Sequence, residues 1–371
     1  MKQSFMRALA LAIVLVSVLS AEPATAKKKK DATPEVKNVI LMIGDGMGLA
    51  QVAGTIINQG YEPLNIERAQ FIGLSKTYSA NNRVTDSAAG GTALSTGVKT
   101  YNGAIGVDAE GQPVETILEK AEAAGLATGL VATYSVTNAT PAAFVAHVTS
   151  RKMEERIAEF YLTAGVDVFL GGGKQFFTQR EDGRDLTAEL RARGYTMVDN
   201  LADILAFEGE QLGALLSDNA MPKMVDGRGD YLPQATAKAL EILKNNSPKG
   251  FFVMVEGSQI DRGGHSNDAS VVFTETVDFD RAVGVAMDFA DRNPGTLVVV
   301  TADHETGGLS IPSGKPDFSL PDQGVKYEFG TGGHTAIFVP IYAYGTGASH
   351  FSRIMENTAI PRTLEQLLLK N

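Results

Sequence analysis

The stretch Lys37-Asn-Val-Ile-Leu-Met-Ile-Gly44-Asp45-Gly-Met-Gly48 decides the fold. Its continuous apolar run, Val39 to Ile43, is bounded by polar Asn38 and by glycine, and it reads as a strand buried on both faces. Such strands belong to parallel sheets covered by helices. Functional groups in those sheets gather at the carboxyl ends of the strands, which places Asp45 where chemistry is expected. On local grounds alone, an aspartate before glycine is equally an ordinary turn residue.

The same alternation continues outward. Helical periodicity over Val114–Ala124 stops at Gly125, and Ala127–Thr133 reads as the next buried strand. A helix over Met153–Ala164 leads to a strand at Val166–Gly171, then to further alternation through Leu186–Arg193, Tyr195–Val198 and Gln211–Leu216. A long helix over Pro233–Asn245 precedes a strand at Gly250–Glu256, and a helix over Asp268–Asp291 precedes Thr296–Thr301. The last strand is expected near Val339–Tyr344, and Pro361–Leu369 closes the chain as a helix. Alternation without repeat or low-complexity linker predicts an α/β three-layer sandwich, a central mainly parallel sheet flanked by helices. Residues 172–232 and 305–335 are the least regular and read as excursions near the site.

The N-terminus has the composition of an export signal. Lys2 and Arg7 precede the apolar core Ala8–Leu19, and Ala24-Thr-Ala26 offers a small-residue cleavage site after Ala26. The apolar run is too short to span a bilayer. These readings predict a signal peptide over 1–26, a basic tail over 27–36, a single catalytic domain over 37–371, and a periplasmic or secreted protein with no membrane anchor. With no cysteine, stability must come from the core and from bound metals rather than from disulfides. Lys2, Arg7 and Glu22 carry +1 between them, so removing residues 1–26 takes the net charge from −10 to −11. That balance argues against a surface that coats nucleic acid. An anionic small molecule would then need a locally positive site.

Carboxylates and histidines cluster in three places. Glu256, Asp261 and His265 share a glycine-relieved loop, Asp303-His304 follows a strand, and Gly332-Gly-His334-Thr335 supplies the third. Carboxylate oxygen with imidazole nitrogen is the ligand set of catalytic zinc. The chain has five histidines and three fall here, whereas His147 and His350 read as ordinary satisfied residues. Val84-Thr-Asp-Ser-Ala-Ala-Gly-Gly-Thr-Ala-Leu-Ser-Thr-Gly97 adds a hydroxyl, Ser87, at a helix start, where backbone N–H groups and the dipole favour negative charge.

Taken in order, Asp45 in its Gly-Asp-Gly loop, Thr85-Asp-Ser-Ala-Ala-Gly-Gly-Thr-Ala, Thr140-Pro-Ala-Ala with Thr149-Ser-Arg151, Glu256-Gly…Asp261…His265, Thr301-Ala-Asp-His-Glu305 and Gly332-Gly-His-Thr335 make the chain resemble an alkaline phosphatase of compact, exported bacterial type. The resemblance covers almost the whole mature length. It implies a phosphoserine on Ser87, one zinc on Asp261, His265 and His334, and a second on Asp45, Asp303 and His304. A third ion, usually magnesium, would take Asp45, Thr140 and Glu256, and Arg151 would clamp the phosphate. Two zinc ions suit an in-line displacement, and zinc lowers the serine pKa without a histidine base. The substrates implied are small-molecule phosphate monoesters, and the family's habit implies a homodimer.

Two positions depart from common family patterns. Many members carry aspartate or histidine where this chain has Asn138, and an amide supplies no negative charge to the third site. Beside Asp261 stands Arg262 in place of the usual lysine or histidine, and it is expected to meet substrate phosphate. Among alternatives, a sulfatase needs a Cys/Ser-x-Pro-x-Arg context that Ser87 lacks. A phosphodiesterase of the same superfamily commonly uses threonine and lacks the arginine clamp. A non-catalytic exported zinc- or phosphate-binding protein explains the ligands but not the nucleophile among them.

Overall fold

The computed structural model describes residues 35–315, 319, 321, 322 and 324–369. The expected signal peptide and residues 27–34 of the expected tail lie outside the described residues. Ten strands form one sheet: β1 (Asn38–Gly44), β2 (Phe71–Lys76), β3 (Ala127–Ser135), β4 (Val168–Gly172), β5 (Thr196–Val198), β6 (Leu212–Leu215), β7 (Phe251–Gly257), β8 (Thr296–Thr301), β9 (Val339–Gly345) and β10 (Ile354–Glu356). Their order is β10-β2-β9-β8-β1-β7-β3-β4-β6-β5. Every pairing is parallel except those of β9 with β8 and with β2. This is the mainly parallel sandwich that the alternation predicts.

The period-2 geometry of a strand sends alternate side chains to opposite faces. Accordingly Val39, Leu41, Ile43, Phe252, Met254, Leu297 and Val299 enter one apolar layer, and Ile40, Met42, Phe251, Val253, Val255, Val298 and Val300 enter the other. The helices Ile117–Ala123 and Ala359–Leu368 cover the first layer, and Ala269–Arg292 covers the second. The Asp268 carboxylate caps that last helix by accepting from the N–H groups of Ser270 and Val271. Its Phe279 is 1% exposed, which is worth about 1.5–3 kcal/mol of apolar transfer. The ring presses on Gly257, where an added Cβ would stand 2.7 Å from it.

Several boundaries differ from the sequence reading. The helix expected from Val114 starts at Ile117, because Thr116 and Glu119 form a reciprocal capping box that fixes its first turn. Asp261 and His265 lie on a short helix, Ile260–His265, rather than in a loop. The sheet also holds two strands beyond those expected. The edge strand β10 has three residues, follows β9 in the chain, and exists by pairing with β2. β2 carries a mid-strand glycine, since a Cβ at Gly73 would stand 2.1 Å from the Phe351 carbonyl. The helix Leu49–Asn58 was likewise not anticipated.

Candidate active site

The site lies along the carboxyl ends of β8, β1, β7 and β3, four consecutive strands. Asp45 follows β1, Glu256 lies near the end of β7, Asp303 and His304 follow β8, and Thr140 sits on the short helix Ala139–Ala142 after β3. His334 is the exception to the strand-end expectation. It precedes β9, and because β9 runs antiparallel to β8 its start faces the same edge as the other strands' ends.

Ser87 is the first residue of the helix Ser87–Thr96, and Asp86 is its N-cap, accepting from the Ala89 N–H at 3.0 Å. The two glycines of this helix have a packing reason. A Cβ on Gly90 would stand 3.0 Å from that of Asp303, and one on Gly91 would stand 3.2 Å from that of Ala143. The serine can therefore press into the floor of the site. Its Oγ stands 3.1 Å from His304 Nε2, which is 3.2 Å from Asp303 Oδ2 and 3.5 Å from Asp45 Oδ1. A second cluster lies beside it. His265 Nε2 is 3.3 Å from Asp261 Oδ2 and 3.2 Å from His334 Nε2, which is 3.6 Å from Asp261 Oδ1. The His334 ring stacks on that of His304 at 3.6 Å between centroids, so the clusters share a wall.

These spacings fit zinc. Ligand atoms about 2.0–2.1 Å from a tetrahedral zinc stand about 3.3 Å from one another. The Nδ1 atoms are committed elsewhere: that of His265 donates to the Gly332 carbonyl and that of His334 to the Thr85 carbonyl, both at 2.8 Å. That of His304 pairs with the Thr306 hydroxyl at 3.1 Å, which in turn donates to Asp261 at 2.6 Å. Outer-shell bonds of this kind turn each Nε2 lone pair toward a metal. Asp261, His265 and His334 offer one compact group of ligand atoms, and Asp45, Asp261 and His304 offer another.

Deeper in, Asp45 Oδ1, Thr140 Oγ1, Glu256 Oε1 and Asp303 Oδ2 are buried side-chain atoms without hydrogen-bond partners. Such orphans call for an explanation, and of the thirteen among the described residues these four belong to residues expected to bind metal. Burial, followed by the charges of Asp303 and Asp261, pushes the Asp45 carboxyl well above its ordinary range. Burial raises Glu256 to about 7. Asp261 is held low against its burial by the hydrogen bond from His265 and by the neighbouring imidazoles. Buried carboxylates this close together call for cations.

The sequence profile of the alkaline phosphatase family matches residues 36–324. The chain belongs to the alkaline phosphatase family. It is a phosphate monoester hydrolase by that membership. Alkaline phosphatase 4 of Bacillus subtilis (strain 168) is 41% identical over 333 residues, covering 82% of this chain and 71% of the relative. The solved structure of alkaline phosphatase from the Antarctic bacterium TAB5 superposes with a TM-score of 0.86 at 43% identity, covering 91% of this chain and 99% of that one. A variant of the TAB5 enzyme with a histidine replaced by glutamate, described with Mg bound in its M3 site, matches with a TM-score of 0.85 at 41% identity over the same shares of both chains.

Within this phosphatase, Ser87 and the Asp261–His265–His334 cluster open on a cavity of about 370 Å³ that Arg151 and Arg262 also line, whereas Asp45, Asp303 and His304 are buried and do not line it. Arg151 donates to Asp86 Oδ2 at 3.2 Å, and Asp86 also accepts from the Gly103 N–H. Arg262 lies over the ring of Tyr134, 4.9 Å from its centroid. Asn138, Lys152, Glu154, Asn219 and Tyr134 complete the lining, and of these the sequence reading singled out Asn138 alone. Tyr134 could have been found, because it stands near the carboxyl end of β3. Asn219 comes from the irregular segment 172–232, where no pattern marks it. His147 is a satisfied structural residue, with Nδ1 against the Gly106 carbonyl and Nε2 against Glu119. Among the described residues no helix is long and apolar enough to cross a membrane.

Proposed function

We propose that this chain hydrolyses phosphate monoesters of broad structure through a phosphoserine on Ser87, with two zinc ions and one magnesium ion held by its own side chains. The convergence of Ser87 Oγ, His304 Nε2, Asp303 and Asp45 on one point, with Ser87 itself lining the cavity that Arg151 also lines, carries this reading. Asp261, His265 and His334 would hold one zinc, and Asp45, Asp303 and His304 the other. Asp45, Thr140 and Glu256 form a hard oxygen set suited to magnesium. Once bound, the zinc ions supply Lewis-acid stabilisation of attacking and leaving oxygens and lower the pKa of the serine hydroxyl.

The chain's own groups account for the remainder. Ser87 gives up its hydroxyl proton as Oγ attacks phosphorus, and the new O–P bond forms as the bond to the substrate alcohol breaks, the alcohol leaving with the electron pair and taking up one proton in exchange. Water then attacks the phosphoserine from the opposite side, releasing inorganic phosphate and restoring the hydroxyl. The first turn of Ser87–Thr96 aims its N–H dipoles at the developing charge. Arg151 is a permanent cation whose planar fork matches two phosphate oxygens, and Asp86 sets its direction. Arg262, stacked on Tyr134, faces the outer part of the substrate. His304 is within reach of the Ser87 hydroxyl, but with its Nδ1 committed to Thr306 its Nε2 would hold an ion, so it would serve as a ligand rather than as a general base.

Export to the periplasm or medium after removal of residues 1–26 and assembly as a homodimer complete the proposal. The test is hydrolysis of p-nitrophenyl phosphate by wild type and Ser87→Ala, each with and without chelator, with a bis-ester in parallel. Activity should vanish with chelator, fall by several orders of magnitude in the variant, and favour the monoester. Chelator-insensitive turnover or full activity of Ser87→Ala would sink the mechanism.

A further inference from the structure

Glu305 follows the Asp303-His304 pair and has so far been given no task. It is 3% exposed, yet it is a carboxylate among neutral groups. Both of its oxygens are used. Oε1 accepts from Gln51 Nε2 at 2.7 Å and from the Leu309 N–H at 3.2 Å, and Oε2 accepts from the Gly308 N–H at 3.2 Å and from the Thr335 hydroxyl. Gln51 also donates to the Thr306 carbonyl at 2.8 Å. The glycine-rich turn after β1 is shaped to admit this side chain, since a Cβ on Gly48 would stand 2.4 Å from Glu305 Cγ. Gly48 has φ −75°, so its lack of a side chain answers to space rather than to backbone conformation.

What Glu305 grips is the segment carrying His334. Thr335 pairs with Glu305 and His334 with Thr306 in a two-residue antiparallel ribbon. The same segment is sewn to the 305–309 turn by Gly307 N–H to the Gly333 carbonyl at 2.9 Å and by Gly330 and Thr331 N–H to the Gly307 carbonyl. It also supplies the Gly332 carbonyl that orients His265. Two of the three ligands in the Asp261–His265–His334 cluster therefore depend on a segment that is no part of the central sheet.

We infer that Glu305 is a positioning residue for that cluster: its buried carboxylate, clamped between Gln51 and Thr335, fixes the 330–335 segment so that His334 and His265 present a preformed zinc site. The inference rests on the zinc reading proposed above. A carboxylate suits the task because all four partners donate, and only an acceptor on both atoms satisfies them. Glutamine has the same shape, but its NH2 group would face a donor. The Asp45–Asp303–His304 cluster sits on the ends of β1 and β8, and none of the Glu305 side-chain hydrogen bonds reaches those three residues.

The test is zinc content after equilibration in zinc buffers over a range of free concentrations, on the full chain, for wild type, Glu305→Gln and Gly48→Ala. Outer-shell changes typically weaken metal binding by about 10- to 100-fold. One zinc equivalent should weaken by that factor in Glu305→Gln while the other stays as in wild type. Gly48→Ala, which pushes on the same side chain without removing it, should shift the same equivalent in the same direction. Combining Glu305→Gln with His334→Ala should lose nothing beyond His334→Ala alone, which identifies the affected site. In chelator-treated protein, amide exchange at 330–335 should be faster in Glu305→Gln than in wild type, with β8 unchanged. Equal weakening of both equivalents would reduce Glu305 to a general structural residue, and unchanged affinity in Glu305→Gln would also overturn the inference. Wild type without two tight equivalents would overturn the zinc reading itself, and the inference with it.

Discussion

Two clusters of carboxylates and histidines share one wall in this molecule and are built in opposite ways. The Asp45–Asp303–His304 cluster grows from the ends of two hydrogen-bonded neighbouring strands, and all three residues are buried. The Asp261–His265–His334 cluster stands on a six-residue helix and on a segment outside the sheet, and the side chain of His265 remains 35% exposed. The sheet fixes the first as a by-product of folding. Outer-shell contacts must fix the second: Gly332 on His265, Thr85 on His334, Thr306 on Asp261, and Glu305 beneath the segment. The difference fits a division of labour. The Asp45–Asp303–His304 cluster touches Ser87 and is buried, whereas the Asp261–His265–His334 cluster lines the cavity.

The sharpest way to break this comparison is to remove one histidine from each cluster. His304→Ala deprives Ser87 of its nearest ligand, and kcat for p-nitrophenyl phosphate should fall by more than about 100-fold even at saturating zinc, the scale of a single transition-state electrostatic contact. His334→Ala should be partly rescued by added zinc, because its cluster meets the ion from solvent. Rescue of both variants to the same degree would erase the distinction.

A smaller effect is expected at the deep end, where Asp45, Thr140 and Glu256 carry orphaned oxygens. Asn138 caps the helix bearing Thr140 without using its side chain as a cap acceptor, so Asn138→Asp adds charge without removing a bond to that helix. Magnesium affinity should tighten by about tenfold, since ligand charge count tunes such sites. Titration calorimetry of the zinc-loaded protein reads this directly, and an unchanged affinity would move Asn138 out of the magnesium environment.

The same contrast explains what was legible in the sequence. Asp45, Asp303 and His304 follow apolar runs whose length and composition mark buried parallel strands, and the rule that chemistry gathers at strand ends finds them. Ser87 was legible through the helix start that its Asp86 neighbour caps. His334 is legible as a ligand-type residue next to glycines, but its place is not, because only the antiparallel course of β9 brings it to the right edge. Tyr134, Asn219, Thr306 and Glu305 were not singled out. Their roles come from contacts between residues 30 or more apart in the chain, such as Glu305 with Thr335 and Thr306 with Asp261, or from cavity walls, and no local period encodes those. The strands β2 and β10 escaped for a related reason. Neither has the uninterrupted apolar run of a central strand, and β10 is three residues long beside a β2 that contains a glycine.

The central claim is that Ser87 carries the phosphoryl group between substrate and water. Acid-quenching the zinc-loaded enzyme during turnover of a phosphate monoester, followed by peptide mass spectrometry, tests it most directly. The account predicts one phosphorylated peptide, modified at Ser87, which is absent from Ser87→Ala and from chelator-treated enzyme. A phosphoryl group on another residue, or rapid turnover with no phosphopeptide at any quench time or pH, would contradict it.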